Sequence, residues 1–230
     1  MHVEKTVDRA VILAAGLGTR LKWMTRNRPK ALMKIQGEPS IVHVIRQLVG
    51  QGIGVIAVNT HHHADILMDY LGNGSKWGVN LVFSQETELL NSGGGVRTAL
   101  GKLAGEGLVV VHNADVMTDV DVQNLAHYCP EHGCSLALVE NPAHHPEGDF
   151  AINDGLACLQ GNPRYTFSGV SVWDASVLYQ YAANTSFSLL EPMQNMMEKE
   201  RCAGVLHRGQ WFDIGRPKDV IRANRAWRTL

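Results

Sequence analysis

The chain has 230 residues, 45% of them hydrophobic and 19% charged, which suits a folded globular domain and excludes a disordered or collagen-like polymer. Its 21 Lys and Arg against 22 Asp and Glu leave a formal charge of −1, excluding a nucleic-acid binder that works through overall positive charge. Four cysteines are too few for a disulfide framework at this length, nothing at the amino terminus reads as an export signal, and the first apolar run (residues 10–15) is far shorter than a membrane span. The expectation is one domain over residues 1–230, cytoplasmic, with no membrane and no nucleic acid among its partners.

Apolar runs of strand length alternate with stretches of helical period, the pattern of an α/β fold with a mostly parallel sheet and helices on its faces. Residues 10–13 predict the first strand, and a long polar loop follows through Pro29. Ile41, Val44, Ile45, Leu48 and Val49 recur at helical spacing and predict a helix over residues 40–51, capped by Ser40 and closed by Gly52 and Gly54. Residues 55–58 read as a second strand, 64–71 as a short helix and 80–83 as a third strand. After Gly93-Gly94-Gly95 a second clear helix opens, with Val96, Ala99, Leu100 and Leu103 on one face, leading into a strand at 108–111. Another strand fits 134–139. Between Asn141 and Tyr165 three prolines, three glycines and no long apolar run predict an irregular loop or hairpin laid over the sheet. A strand at 165–173 and helices at 189–199 and 218–228 complete the chain, the helices separated by a strand and turn ending in Phe212-Asp213-Ile214-Gly215. No internal repeat is present, and without a hexapeptide repeat after the last helix a second, acyltransferase activity is not expected.

The sharpest motif is Leu13-Ala14-Ala15-Gly16-Leu17-Gly18-Thr19-Arg20-Leu21, directly after the first strand, with Arg28-Pro29-Lys30 closing the same loop. Glycines there let backbone N–H groups approach a phosphate, and the small side chains of Ala14 and Ala15 leave room for a flat base. The dinucleotide fingerprint fails, because Leu21 stands where it needs a third glycine and Asn59-Thr60 where it needs an acid; the P-loop fails for want of Gly-Lys-Ser/Thr. What remains is Arg20, whose planar fork suits phosphate oxygens, and Lys30, a point charge held behind Pro29, a pair that suits a triphosphate. An ordinary turn with solvated cations accounts for the glycines but not for that pairing. Asn113-Ala114-Asp115 follows the strand at 108–111 and so falls on the same sheet edge as the glycine loop. Asp213, in Trp211-Phe212-Asp213-Ile214-Gly215, supplies a second carboxylate. Each aspartate alone fits a cap or turn; together, opposite a phosphate loop, they fit Mg²⁺, which takes one or two carboxylates and completes its shell with phosphates and water.

Other groups have plainer readings. His61-His62-His63 point in different directions and read as a polar loop, while His127, Cys129, His132 and Cys134 lack the separated ligand pairs of a zinc site and read as a helix end and a strand start. Met193, Met196 and Met197 share a helical face that serves a core or a dimer interface, so a monomer or homodimer is expected, and Arg222, Arg225 and Arg228 read as a solvated basic helix face.

At Ala14-Ala15-Gly16-Leu17-Gly18-Thr19-Arg20, Pro29-Lys30, Asn113-Ala114-Asp115 and Phe212-Asp213-Ile214-Gly215 the chain resembles the sugar-1-phosphate nucleotidyltransferases over nearly its whole length. The resemblance implies a three-layer α/β/α Rossmann-like fold with a mixed, mainly parallel sheet, and Mg²⁺-dependent joining of a nucleoside triphosphate to a sugar 1-phosphate. It implies catalytic roles for Arg20, Lys30, Asp115 and Asp213, with metal ligation by the two aspartates. Nucleotide contacts would fall to Ala14, Ala15, Gly16, Gly18, Thr19, Gly93, Gly94 and Asn113, the glycines at 93 and 94 lying against the base. Sugar contacts would fall to Glu140, Asn141, Gly148, Asp149, Ser168 and Gly169. Within the family, Ser92-Gly93-Gly94-Gly95-Val96, residues 113–119, residues 141–150 and Thr166-Phe167-Ser168-Gly169-Val170 are most similar to bacterial members that join UTP to N-acetylmuramate 1-phosphate in cell-wall recycling. Ala114 stands where the family commonly has glycine, and Met24 where it often has proline; these departures bear on the choice of base and sugar. GTP or CTP with another sugar 1-phosphate such as a heptose, or a non-catalytic nucleotide-sugar-binding regulator, are the competing expectations.

Overall fold

The computed structural model describes residues 5–228. Strand β1 (Arg9–Leu13) leads through a 3-10 turn at Thr19–Thr25 and a second at Lys30–Leu32 to a short hairpin, β2 (Lys34–Ile35) and β3 (Glu38–Pro39). Then come α1 (Ser40–Gly50), β4 (Val55–Thr60), α2 (Ala64–Leu71), β5 (Asn80–Gln85), α3 (Asn91–Leu100) and β6 (Leu108–Asn113). The middle of the chain gives β7 (Val116–Thr118), α4 (Val122–Tyr128), β8 (Cys134–Val139), β9 (Phe150–Asn153) and β10 (Leu156–Cys158). It ends in β11 (Arg164–Asp174), α5 (Ala175–Tyr179), α6 (Leu190–Glu198), β12 (Cys202–Leu206), β13 (Trp211–Asp213) and α7 (Pro217–Ala226).

One mixed sheet runs in the order β5-β4-β1-β6-β11-β8-β12-β10-β9. Its β5-β4-β1-β6 half is wholly parallel, with Ile12 of β1 beside Val58 on one side and His112 on the other. Alternation along β1 divides the core: Ala10 and Ile12 join the side chains of α1, α2 and α4, whereas Val11 joins those of α3, α5 and α6. Both faces are therefore covered, which is why these strands read as continuous apolar runs. A third, smaller core forms around Leu21, Met33, Ile35, Met117, Ile214 and Val220, tying α7 to the glycine-rich loop. The methionines at 193, 196 and 197 are buried in the core.

Several expectations change. Ser40 is the first residue of α1 and does not cap it; its buried hydroxyl contacts the carbonyls of Ala31 (3.1 Å) and Ala114 (3.0 Å). Gly93, Gly94 and Gly95 lie inside α3, which begins at Asn91. The 141–165 excursion is not laid over the sheet: β9 and β10 enter it, β10 beside β12 and β9 back against β11, so this end curls on itself. The short elements β7, α4 and α5 had no periodicity to betray them, though Asp121 caps α4 by accepting from the Asn124 N–H at 2.9 Å.

His112 sits wholly buried on central strand β6. Its Nδ1 bonds the Asn113 carbonyl at 2.9 Å, its Nε2 has no partner among the described residues, and burial pushes its pKa down to about 4. The unfolded chain takes this proton near pH 6.5, so the stability that comes with a neutral His112 is complete above pH 6.5 and is lost as the pH falls toward 4. Between pH 7 and pH 5 the wild type should lose about 2 kcal/mol more than His112→Gln. Urea unfolding at the two pH values measures this, and equal losses would refute it.

Candidate active site

The glycine-rich loop leaves β1 at the carboxyl edge of the sheet. Gly18 has φ +65°, and a Cβ there would lie 3.0 Å from the Thr25 methyl and 3.1 Å from Lys30 Cβ, so glycine lets the loop fold onto the residues that end it. Thr25 clamps the fold by donating its hydroxyl to the Gly18 carbonyl at 3.0 Å. Pro29 stands extended at the start of the next turn and delivers Lys30, whose ammonium contacts Asp115 Oδ2. Ser40, touching carbonyls of both the Lys30 turn and the Asp115 turn, holds these two segments side by side.

The second carboxylate arrives through β13. Its pairing with β7 sets Asp213 opposite Val116, and the Ile214 N–H donates to the Asp115 carbonyl at 2.8 Å. Burial, and then the charge of Asp115, raise the Asp213 carboxyl above its ordinary range; Lys30 and Arg20 pull the other way. A Cβ on Gly215 would lie 3.1 Å from Asp213 Oδ2 and 3.3 Å from the Arg20 guanidinium carbon, so both side chains flank the same glycine. Two cations and two carboxylates are thus gathered at one edge of the sheet.

They border a cleft of about 620 Å³ over the carboxyl ends of β1, β4 and β6, where the sheet order reverses between β1 and β6. Ala14, Ala15, Gly16, Gly18, Thr19, Arg20, Lys30, Asn113 and Asp115 all line it, and Asp213 stands beside it behind Gly215. In place of Gly93 and Gly94, the lining from α3 is Asn91 and Ser92. Gly93 and Gly94 are buried one layer back, where a Cβ would lie 2.4 Å from the Phe187 ring and 2.1 Å from the Thr185 carbonyl respectively. Their lack of side chains seats the 185–188 segment, which contributes Ser186 to the cleft.

The residues expected at the sugar are divided. Glu140 is exposed, and Asn141 braces its own loop, donating to the Pro146 and Arg164 carbonyls and accepting from Thr166. Gly148 packs on Asn141, and Asp149 accepts from the Phe167 N–H at 2.8 Å and faces His145 Nε2 at 3.0 Å. None of these four lines the cleft. Ser168 and Gly169 do not line it either, but Gly169, in the irregular stretch of β11, takes φ +88° and would press a Cβ to 2.7 Å from Asn113 Nδ2, a residue that does.

Among the cleft residues that the sequence did not point to, two form a pair. Asn59, next to last in β4, and Glu86, directly after β5, are both buried and hydrogen-bond each other at 2.7 Å. The available signal was the polar Asn59-Thr60 closing an apolar run.

The remaining candidate ligands diverge. Cys129 gives its thiol to backbone carbonyls and burial pushes its pKa up to about 12, His132 meets Ser176, and Cys134 lies against Cys202. Among the described residues no group of three or more His, Cys, Asp or Glu could hold a metal ion, and no helix is long and apolar enough to cross a membrane.

A glycine-rich loop after β1 thus borders the cleft, with two cations and two carboxylates at the sheet edge. Residues 9–150 match the nucleotidyl transferase family model, and the chain belongs to that family, within its sugar-1-phosphate nucleotidyltransferases. It is 34% identical over 231 aligned positions to the N-acetylmuramate alpha-1-phosphate uridylyltransferase of Neisseria meningitidis, covering 96% of this chain and 100% of that one. The enzyme of the same name from Caulobacter vibrioides is 31% identical, over 93% of this chain and 94% of its own. Among solved structures, HddC from Yersinia pseudotuberculosis complexed with GMP-PN superimposes with a TM-score of 0.79 at 22% identity, covering 95% of this chain and 99% of that one. The inositol-1-phosphate CTP transferase from T. maritima gives 0.78 at 16% identity, over 94% and 93% of the two chains, a likeness of fold.

Proposed function

We propose that this enzyme joins UTP to N-acetylmuramate 1-phosphate, releasing pyrophosphate, with Mg²⁺ as its metal and the cytoplasm as its place. The observation that carries the chemistry is the gathering of Arg20, Lys30, Asp115 and Asp213 at one cleft edge. The substrate pair rests on the two uridylyltransferase relatives that match nearly the whole chain.

Both reactants are anions, so charge repulsion is the barrier to lower. A sugar phosphate with a second pKa near ~6 is already ionised at neutral pH and needs no general base. Its oxygen attacks the α-phosphorus; the new P–O bond forms as the α–β bridging bond breaks, and the electron pair leaves on pyrophosphate. Arg20, exposed at the cleft, would hold the β- and γ-phosphates. Lys30 has three N–H donors, so it can keep Asp115 and still face the α-phosphate and the incoming sugar phosphate. The donor set fits a hard cation: two neighbouring aspartates, of which Asp213 is raised by burial and then by the charge of Asp115. When bound there, magnesium supplies charge neutralisation between the two phosphates. Gly93 and Gly94 would act from behind the base wall, Asn113 at the ribose side, and Glu140, Asn141, Gly148, Asp149, Ser168 and Gly169 would shape the sugar end.

Pyrophosphate release with Mg²⁺ tests the reading, run with UTP, GTP, CTP, ATP and dTTP against N-acetylmuramate, N-acetylglucosamine, glucose, mannose and heptose 1-phosphates. Release confined to UTP with N-acetylmuramate 1-phosphate is expected. Another productive pair moves the substrate, and silence from a folded protein that a nucleotide still stabilises would make it a binding regulator.

A further inference from the structure

The geometry points to Asn59 as the positioning residue that aims the glycine-rich loop at the donor nucleotide, acting through the loop backbone and locked by Glu86. The inference rests on the nucleotidyl-transfer reading above. Asn59 is the penultimate residue of parallel strand β4, opposite Leu13 at the end of β1, and is 3% exposed. Its Oδ1 accepts the N–H of Ala14 at 2.6 Å and of Ala15 at 3.3 Å, the first two residues beyond β1. Its Nδ2 donates to Glu86 Oε1 at 2.7 Å, and Glu86 Oε2 accepts the Leu90 N–H at 3.0 Å, just before α3. Each atom has one possible role: rotating the amide would set donor against donor at the loop and acceptor against acceptor at the carboxylate. Gly95 makes room for the pair, since a Cβ there would lie 2.5 Å from Asn59 Nδ2 and 2.7 Å from Glu86 Oε1.

Two consequences follow for the donor. The N–H groups of Ala14 and Ala15 are consumed inside the protein, so backbone donors for phosphate begin at Gly16. The loop start, which lines the cleft, is also fixed relative to α3, whose Asn91 and Ser92 line it from the other side. One amide thus sets the width of the slot between them.

A double-mutant cycle tests this. In Asn59→Asp an acceptor replaces the donor facing Glu86, and in Glu86→Gln a donor faces the Leu90 N–H. In the double variant every group is satisfied again: the new carboxylate at position 59 accepts both loop amides and the N–H of the new side-chain amide at position 86, whose oxygen accepts from the Leu90 N–H. Asn59→Asp is expected to raise KM for the triphosphate at least ten-fold, with KM for the sugar phosphate, measured at saturating triphosphate, unchanged. The double variant should return to the level of Glu86→Gln alone or better, with unliganded melting temperatures measured for all four proteins. Multiplicative losses without rescue, or a KM change shared by both substrates that follows the melting temperature, would overturn the assignment. If wild type neither releases pyrophosphate nor is stabilised by any triphosphate, the nucleotidyl-transfer reading falls and takes this inference with it; failure of rescue alone sinks only the role of Asn59.

Discussion

Asp213→Asn should lower turnover a hundred-fold or more at saturating Mg²⁺, about 3 kcal/mol of transition-state stabilisation, while leaving the unliganded protein as stable as wild type or more so. The two effects have opposite signs for one physical reason. Asp213 is held by the β7–β13 pairing in a half-buried place beside Asp115, where burial and that neighbouring charge raise its carboxyl. Ionised Asp213 is therefore costly in the folded state, and the cost grows as the pH rises through its raised pKa. Asparagine keeps the shape and removes the charge, relieving that cost, but it also removes the anionic oxygen that would hold the proposed Mg²⁺. Steady-state pyrophosphate release and thermal unfolding without ligand measure the two halves. Near-normal turnover would remove Asp213 from the reaction.

Lys30→Met should cost activity on the same scale, a hundred-fold or more, but with the stability effect reversed. Lys30 and Asp115 form a partly buried ion pair, 12% and 22% exposed at their side chains, and methionine would leave Asp115 without its partner. Loss of about 2 kcal/mol of unliganded stability is expected, the scale for a charge-assisted bond whose partner stays behind. Lys30→Arg should recover the stability but little of the turnover, because a planar fork cannot offer three rotating donors to a carboxylate and two phosphates at once. Parallel unfolding and kinetic measurements on the two variants separate charge from geometry. Full activity in either would show that Lys30 does not face the reacting phosphates.

The sequence itself carried the part of this site that is local along the chain. The run Ala10–Leu13 followed by Ala14-Ala15-Gly16-Leu17-Gly18 specified a strand and a glycine-rich loop. Parallel strands put ligands at their carboxyl ends, so Asp115 after β6 could be placed on the same edge as Arg20 and Lys30. Helices α1 and α2 were legible because their apolar residues repeat at helical period, and β8 because it is a short, wholly buried run.

What the sequence left open depended on partners far away in the chain. Ser40 has the composition of a helix cap, yet it serves the carbonyls of Ala31 and Ala114, which only the folded sheet brings within reach. The three glycines at 93–95 have the composition of a flexible opening, yet they sit in the first turns of α3 because Phe187, Thr185 and the Asn59–Glu86 pair occupy the space of their missing side chains. The hairpin at 150–158 joins the sheet through β12 and β11, pairings that neither strand's short pattern specifies. Asn59 and Glu86 became a unit only once β1, β4 and β5 ended side by side. Periodicity and turn chemistry are properties of neighbours in sequence, so the sequence by itself determined the long parallel strands, the glycine-rich loop after β1 and the sheet edge on which that loop falls. Burial of a polar atom or close approach to a glycine is set by residues distant in the chain, so only the tertiary structure decided how that edge is held in shape.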